Sequence, residues 1–242
     1  MDNEKDLTYS AAIEQVMLAN GYFAPLKIIY REIGKYKNMA KIKGKTPDMT
    51  IQERVQRDKR FTRVGLGVYA LTEFLYKLPQ QTAAPKNAEI ISRRHAEIQG
   101  MLLEIGNNNK EVENTYTNDK KYIFNGKTLG NLATLAAVPL FTYEKIIKKS
   151  VTFTDVIWFN NRGFPTRVFE VEHSTDFRDG FIKFMELQDF ITEFYCIAAA
   201  ERRDKFEREK EKNAFKPIAE RLKFRTYDDV EADYNHLWNA HI

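Results

Sequence analysis

The sequence predicts an α+β/α/β protein, a small helical N-terminal domain with a β-hairpin followed by an α/β domain with a central mixed sheet flanked by helices. Three observations predict it. Apolar residues recur at helical spacing through residues 10–57, and a short β-hairpin pattern closes that region. Two dense apolar strands, Val156-Ile157-Trp158-Phe159 and Val168-Phe169-Glu170-Val171-Glu172, flank the turn-forming cluster Asn160-Asn161-Arg162-Gly163-Phe164-Pro165 and read as a hairpin. Strand and helix patterns alternate after residue 120, as expected of an α/β sheet.

In chain order, a first helix starts at Ser10 as cap and stops at Gly21. A second runs from Pro25 through Leu26, Ile28, Ile29 and Ile33 to Gly34. A third follows Thr46-Pro47-Asp48, with Ile51 and Val55 facing the core and Thr50, Glu53, Arg54 and Arg57 outward. Phe61-Thr62-Arg63-Val64 and Gly67-Val68-Tyr69-Ala70-Leu71 form a small wing, so three helices plus a hairpin give a winged helix over residues 1–78. Residues 79–87, with two prolines at 79 and 85 and small or polar neighbours, read as a linker, and residues 88–242 as the second domain. There, Ala88 to Gly106 is an amphipathic helix ended by Gly106, Tyr195 to Ala200 a further strand, Glu201 to Lys212 a solvent-facing helix, and Tyr227 to Trp238 a closing helix.

The net charge of +4 is unevenly spread. Residues 1–82 hold 14 Lys or Arg against 9 Asp or Glu, whereas residues 83–242 hold 24 against 25. Between Lys27 and Arg63, 12 basic side chains face only Glu32, Asp48, Glu53 and Asp58, an electrostatic footprint for a phosphate backbone. The lone Cys196 lies in an apolar run and excludes intrachain disulfides; the four histidines lack zinc-ligand spacing. No run approaches the roughly 18 apolar residues that span a bilayer, and the first residues carry no signal pattern, so no membrane association and a cytoplasmic location are expected.

The chemistry concentrates on the hairpin. The two-residue period of a strand puts Glu170 and Glu172 on one face, and the hairpin brings Asp155 alongside. Carboxylates this close repel one another unless a proton or a hard divalent cation relieves them, and Mg²⁺ is the simplest answer. The plain alternative is a wet face of an edge strand.

The arrangement resembles the PD-(D/E)XK nuclease superfamily, with Asp155 as the first acid and Glu170 as the second. Glu172 stands where that pattern has Lys, as in some restriction endonucleases, and the run His173-Ser174-Thr175-Asp176-Phe177 with Gly180 to Leu187 resembles the restriction-enzyme form of the motif. The resemblance implies a restriction-endonuclease-like domain, Asp155 and Glu170 holding one or two Mg²⁺ ions, and Glu172 as ligand or base. It further implies an acid from the preceding helix, Glu97 or Glu104, which sequence does not separate. Lys183 on the following helix is the candidate for the missing positive charge. Gly44-Lys45-Thr46-Pro47 and Arg63 to Leu71 resemble the HARE-type helix-turn-helix, over about residues 7–75. By that resemblance Thr50, Gln52, Glu53, Arg54, Gln56 and Arg57 would read bases, while Lys41, Lys43, Lys45, Thr46, Lys59, Arg60 and Arg63 would hold the backbone.

The combined expectation is a type II-like enzyme hydrolysing double-stranded DNA as a homodimer, alongside a cognate DNA methyltransferase. The alternatives are a catalytically degenerate DNA-binding regulator, motivated by Glu172, and a modification-dependent or repair nuclease.

Overall fold

The computed structural model describes residues 6–38, 47–78, 87–173 and 176–240, without the side chains of 87–91. The chain divides into two compact units, Met1–Gln80 with Asn125–Lys127, and Gln81–Phe124 with Thr128–Ile242.

In the first unit, helix α1 (Tyr9–Ala19) is capped by Thr8, whose hydroxyl accepts from the Ala11 amide. The expected cap, Ser10, lies inside the helix: Thr8 has the extended backbone (φ −62°, ψ 159°) that lets a hydroxyl turn back onto the first free amides. After Gly21 and Tyr22, both at positive φ, come strand β1 (Phe23–Pro25), helix α2 (Leu26–Glu32) and helix α3 (Pro47–Arg57). Strands β2 (Phe61–Gly65) and β3 (Val68–Leu71) pair antiparallel, and β1 adds to β3 with Phe23 opposite Ala70. Ile13, Met17, Ile29, Ile33, Ile51, Val55 and Phe61 from these elements share one core, so the helical spacing of the apolar residues is a burial pattern.

The second unit begins with helix α4 (Asn87–Asn108). Strands follow at β4 (Asn114–Thr117), β5 (Ile123–Phe124) and β6 (Lys127–Thr128), whose first residue belongs to the first unit, then short helices α5 (Leu129–Leu132) and α6 (Glu144–Lys149). Strands β7 (Val156–Phe159) and β8 (Pro165–Glu172), helix α7 (Phe177–Met185), strand β9 (Glu193–Ala198), helix α8 (Arg203–Lys210), strand β10 (Leu222–Thr226) and helix α9 (Tyr227–Ala240) complete it. The five-stranded sheet has the order β10-β9-β8-β7-β4, antiparallel from β4 to β8 and parallel from β8 to β10. It is a central mixed sheet flanked by helices. One face packs Ile157, Phe159, Val168 and Phe194 against Phe177, Phe181 and Phe184 of α7 and Phe206 of α8. On the other, the indole of Trp158 packs tilted against Phe169 (centroids 4.7 Å apart, planes 55° apart) and donates to the Leu102 carbonyl of α4. Cys196 is buried in the first of these layers, and Phe206 and Glu209 give α8 an inner stripe that its mixed charges conceal. Among the described residues no helix is long and apolar enough to cross a membrane.

Gly106 does not end α4, which continues to Asn108. Its role is close approach: a Cβ there would stand 2.5 Å from Trp158 Nε1 and 2.9 Å from Thr115 Cγ2. Gly106→Ala should therefore destabilise the protein by about 1–3 kcal/mol through overpacking, despite the better helix propensity of alanine. A urea titration measures it; an unchanged midpoint would show that the helix and the indole can move apart freely.

Candidate functional site

Strand β8 is central, with β7 on one side and β9 on the other, so its two glutamates do not face solvent from an edge. Glu170 and Glu172 are 4% and 6% exposed, and Asp155, just before β7, is 9% exposed. The register Val156↔Phe169 places Asp155 across from Glu170, and Asp155 Oδ2 accepts from the Val171 amide at 2.7 Å. Helix α7 makes room for the pair with Gly180, where a Cβ would lie 3.2 Å from Glu170 Cγ and 3.7 Å from Glu172 Oε1. Asp155 and Glu170 are thus cross-strand neighbours, with Glu172 two residues further along β8, and three buried carboxylates in one region need compensation; among the described residues the possible ligands within 4.8 Å of one another are His95, Asp119 and Asp155.

Part of that compensation is Lys183, on α7. Its Nζ lies 2.7 Å from Glu170 Oε2 and donates to the Phe153 carbonyl at 3.0 Å. Burial first, then the negative charge of Asp155, push the Glu170 carboxyl well above the ordinary range, with Lys183 pulling the other way and Glu172 adding to the rise. Burial lowers the proton affinity of Lys183, but Glu170 more than restores it, so its pKa is raised overall. The second oxygen of Glu170, Oε1, is buried without a hydrogen-bond partner among the described residues.

Helix α4 contributes residues that sequence reasoning missed. His95 Nε2 is 3.2 Å from Asp155 Oδ2; Gln99 Nε2 is 2.7 Å from Asp119 Oδ2, in the turn after β4. Burial works against protonation of His95, and the hydrogen bond and charge of Asp155 reverse it, raising its pKa. The helical period offered a signal: His95 and Gln99 are one turn apart on the same face, but a search for acids alone passes over them. Of the acids weighed on this helix, Glu97 pairs with Arg93 and Arg94, and Glu104, fully buried, accepts from the Tyr234 hydroxyl at 2.7 Å. Glu97 is thus tied within α4, and Glu104 is tied to α9 through Tyr234. His173, next to Glu172, is held by Tyr227 at 2.8 Å, and burial followed by the charge of His95 lowers its pKa to about 4. Ser174 and Thr175 lie outside the described residues.

In the first unit, Arg54 and Gln56 project outward from α3, and Arg54 has no ion-pair partner among the described residues; Thr50 and Gln52 are half-buried. Arg57 pairs with Glu53 at 2.7 Å along the helix, and Arg63 donates to the Gly65 carbonyl. Arg60 is held by Asp58 and Glu14, at 2.7 and 3.0 Å, and so braces α1 against the loop before β2; Lys59 is exposed. Lys41, Lys43, Lys45 and Thr46 lie outside the described residues. A cavity of about 440 Å³ in this unit, lined by Asp6, Gln15, Tyr36 and Lys37 among others, contains none of the carboxylates on β7 and β8.

Fold and site together define an α/β protein with a buried acidic centre at the heart of a mixed sheet. Residues 77–241 match the family model of the Type II restriction enzyme NmeDI C-terminal domain, and the chain belongs to that family. Over 156 residues it is 29% identical to the Type II restriction enzyme NmeDI of Neisseria meningitidis serogroup C, an alignment covering 60% of this chain and 43% of that protein. The chain therefore spans less than half the length of this curated relative. No solved structure matches it significantly.

Proposed function

We propose that this chain is a type II restriction endonuclease, a Mg²⁺-dependent hydrolase of double-stranded DNA of the PD-(D/E)XK kind in which Glu172 replaces the usual Lys. What supports this reading is the buried cluster of Asp155, Glu170 and Glu172 on two adjacent central strands, in a chain of this restriction-enzyme family. The residues fit the ion: the donors are all oxygens, as a hard cation requires, and Glu170 Oε1 is buried with no partner among the described residues. Asp155 and Glu170 would hold it. Bound Mg²⁺ would polarise the scissile phosphate and lower the pKa of an attacking water. The Val171 amide fixes the orientation of Asp155, and Gly180 leaves space for both glutamates. Lys183 supplies, from α7, the positive charge that the usual motif carries on the strand, steering the scissile phosphate toward the cluster. Glu172 would act as ligand or as the base for water.

The N-terminal three helices and antiparallel sheet, residues 1–78, would serve as a winged helix of the HARE type, joined through residues 79–87 to the nuclease domain at 88–242. Helix α3 would present Thr50, Gln52, Arg54, Gln56 and Arg57 to base edges. Lys59 and Arg63, with Lys41, Lys43, Lys45 and Thr46, would hold phosphates, while Arg60, tied to two acids, is assigned a bracing role. Arg54→Gln should weaken DNA binding; if Arg54 contacts phosphate instead of a base, the loss will be uniform across sequences and the salt slope will fall by about 1. Fluorescence anisotropy at several salt concentrations separates the two, and unchanged binding would remove α3 from the interface. Cutting both strands is expected to use a homodimer, with a methyltransferase protecting host sites.

The functional test is incubation of methylated and unmethylated plasmid with protein and Mg²⁺. Cleavage that chelation abolishes supports the endonuclease; cutting confined to modified DNA selects the modification-dependent reading. Tight binding without cutting of either substrate would favour the degenerate regulator that Glu172 in the lysine position suggests.

A further inference from the structure

Helix α4 carries a group of donors distinct from the carboxylates of β8. Gln99 Nε2 lies 2.7 Å from Asp119 Oδ2 and 3.1 Å from His95 Nδ1, and His95 Nδ1 lies 3.5 Å from the same Asp119 oxygen. Those three separations are close to the edges, about 2.9–3.4 Å, of a coordination polyhedron with metal–ligand bonds of about 2.0–2.2 Å. On the far side of the ring His95 Nε2 meets Asp155 Oδ2 at 3.2 Å. A carboxylate that takes one ring N–H leaves the other nitrogen as a lone-pair donor, the arrangement that orients metal-binding histidines. Donor atoms of His95, Asp119 and Asp155 all lie within 4.8 Å of one another.

Gln99 gives an independent sign of a missing ligand. It is fully buried, yet its Oε1 has no hydrogen-bond partner among the described residues. Exchanging the amide's two ends would not help by itself, because Oε1 would then face the Asp119 carboxylate oxygen where Nε2 now donates. A cation in the triangle reverses that preference. The carbonyl oxygen then becomes a third ligand in the place Nε2 occupies, and the NH₂ end moves to the position where Oε1 now lacks a donor.

We propose that His95 Nδ1, Asp119 Oδ2 and Gln99 Oε1 form a binding site for a divalent transition-metal ion, with Asp155 as the carboxylate that positions His95. An imidazole nitrogen with two oxygens favours a first-row transition ion over Mg²⁺ and Ca²⁺, which prefer oxygen alone. The site stands independently of the nuclease reading, although Asp155 belongs to both groups of donors.

Mn²⁺ titrated into the chelator-treated full-length protein and followed by electron spin resonance tests this. Pulsed measurements should show ¹⁴N modulation from one imidazole, retained in Glu170→Gln and lost in His95→Ala. Gln99→Leu, which removes the orphaned acceptor without opening a cavity, should stay folded and weaken the nitrogen-coupled ion about 10-fold or more. Asp119→Asn should do the same. Mn²⁺ bound with oxygen ligands alone would overturn the proposal while leaving the acidic cluster on β8 intact, and so would nitrogen coupling that persists in His95→Ala or an unchanged affinity in Gln99→Leu.

Discussion

Asp155→Asn is expected to reduce DNA cleavage by at least about 10³-fold while leaving the protein as stable as the parent or more so. The cleavage loss follows from removing one of the two carboxylates assigned to the cation, on which the polarised phosphate and activated water both depend. The stability gain follows from the same geometry. Asp155 lies across from Glu170 in the β7–β8 register, and its charge is one of the causes that push the Glu170 carboxyl up. An asparagine carbonyl at 155 still accepts the Val171 amide, so the strand contact survives and the repulsion does not. A gain of about 0.5–2 kcal/mol is typical where a site is built for chemistry at the expense of stability. Plasmid cleavage and metal-free thermal denaturation on the same preparation check both parts; a variant that cuts normally removes Asp155 from the chemistry.

The second large effect concerns Lys183. Its side chain is 26% exposed and Glu170 only 5%, so Lys183→Met strands a buried carboxylate. Breaking a buried pair by deleting one partner costs about 3–5 kcal/mol. Here the lower end, about 3 kcal/mol, is expected, because Glu170 can take up a proton and Lys183 is partly solvated. The double variant Lys183→Met with Glu170→Gln should recover most of that loss, since no charge is then left without a partner. Cleavage should fall about 10²–10³-fold in the single variant, the usual scale for deleting one electrostatic contact to a reacting group. Urea unfolding of the four members of the cycle measures the coupling. Additive effects would show that Nζ and the carboxylate do not depend on one another.

Much of the fold was legible because burial imposes a period. Ile51 and Val55 on α3, the unbroken apolar run of β7, and Val168, Phe169 and Val171 of β8 are buried as their pattern requires. Boundaries were less legible. Gly106 resembles a terminator in sequence, but the missing side chain admits the Trp158 indole, a contact 52 residues away in sequence that no local rule encodes. Thr8 outcompeted Ser10 as cap because both are hydroxyl residues and only the backbone decides between them. The three strand-borne carboxylates could be picked out because the hairpin turn and the two-residue period are local. That β8 is central, with its glutamates buried, depends on β9 pairing in parallel across the α7 crossover. His95 and Gln99 share a helix face by local spacing, but Asp119 joins them only through such long-range packing, which no local pattern encodes. Lys183 was a candidate for the missing positive charge by its place on the following helix, but its contact with Glu170 depends on how α7 packs against β8.

The proposed hydrolysis requires a divalent cation held by Asp155 and Glu170 beside Glu172. The most direct test is a crystal soaked in Mn²⁺ as a stand-in for Mg²⁺, with anomalous scattering recorded above the manganese edge. A peak at about 2.1–2.2 Å from carboxylate oxygens of both Asp155 and Glu170 is the predicted result. Full occupancy of lattice-accessible sites elsewhere, with no peak between those two carboxylates, would contradict it.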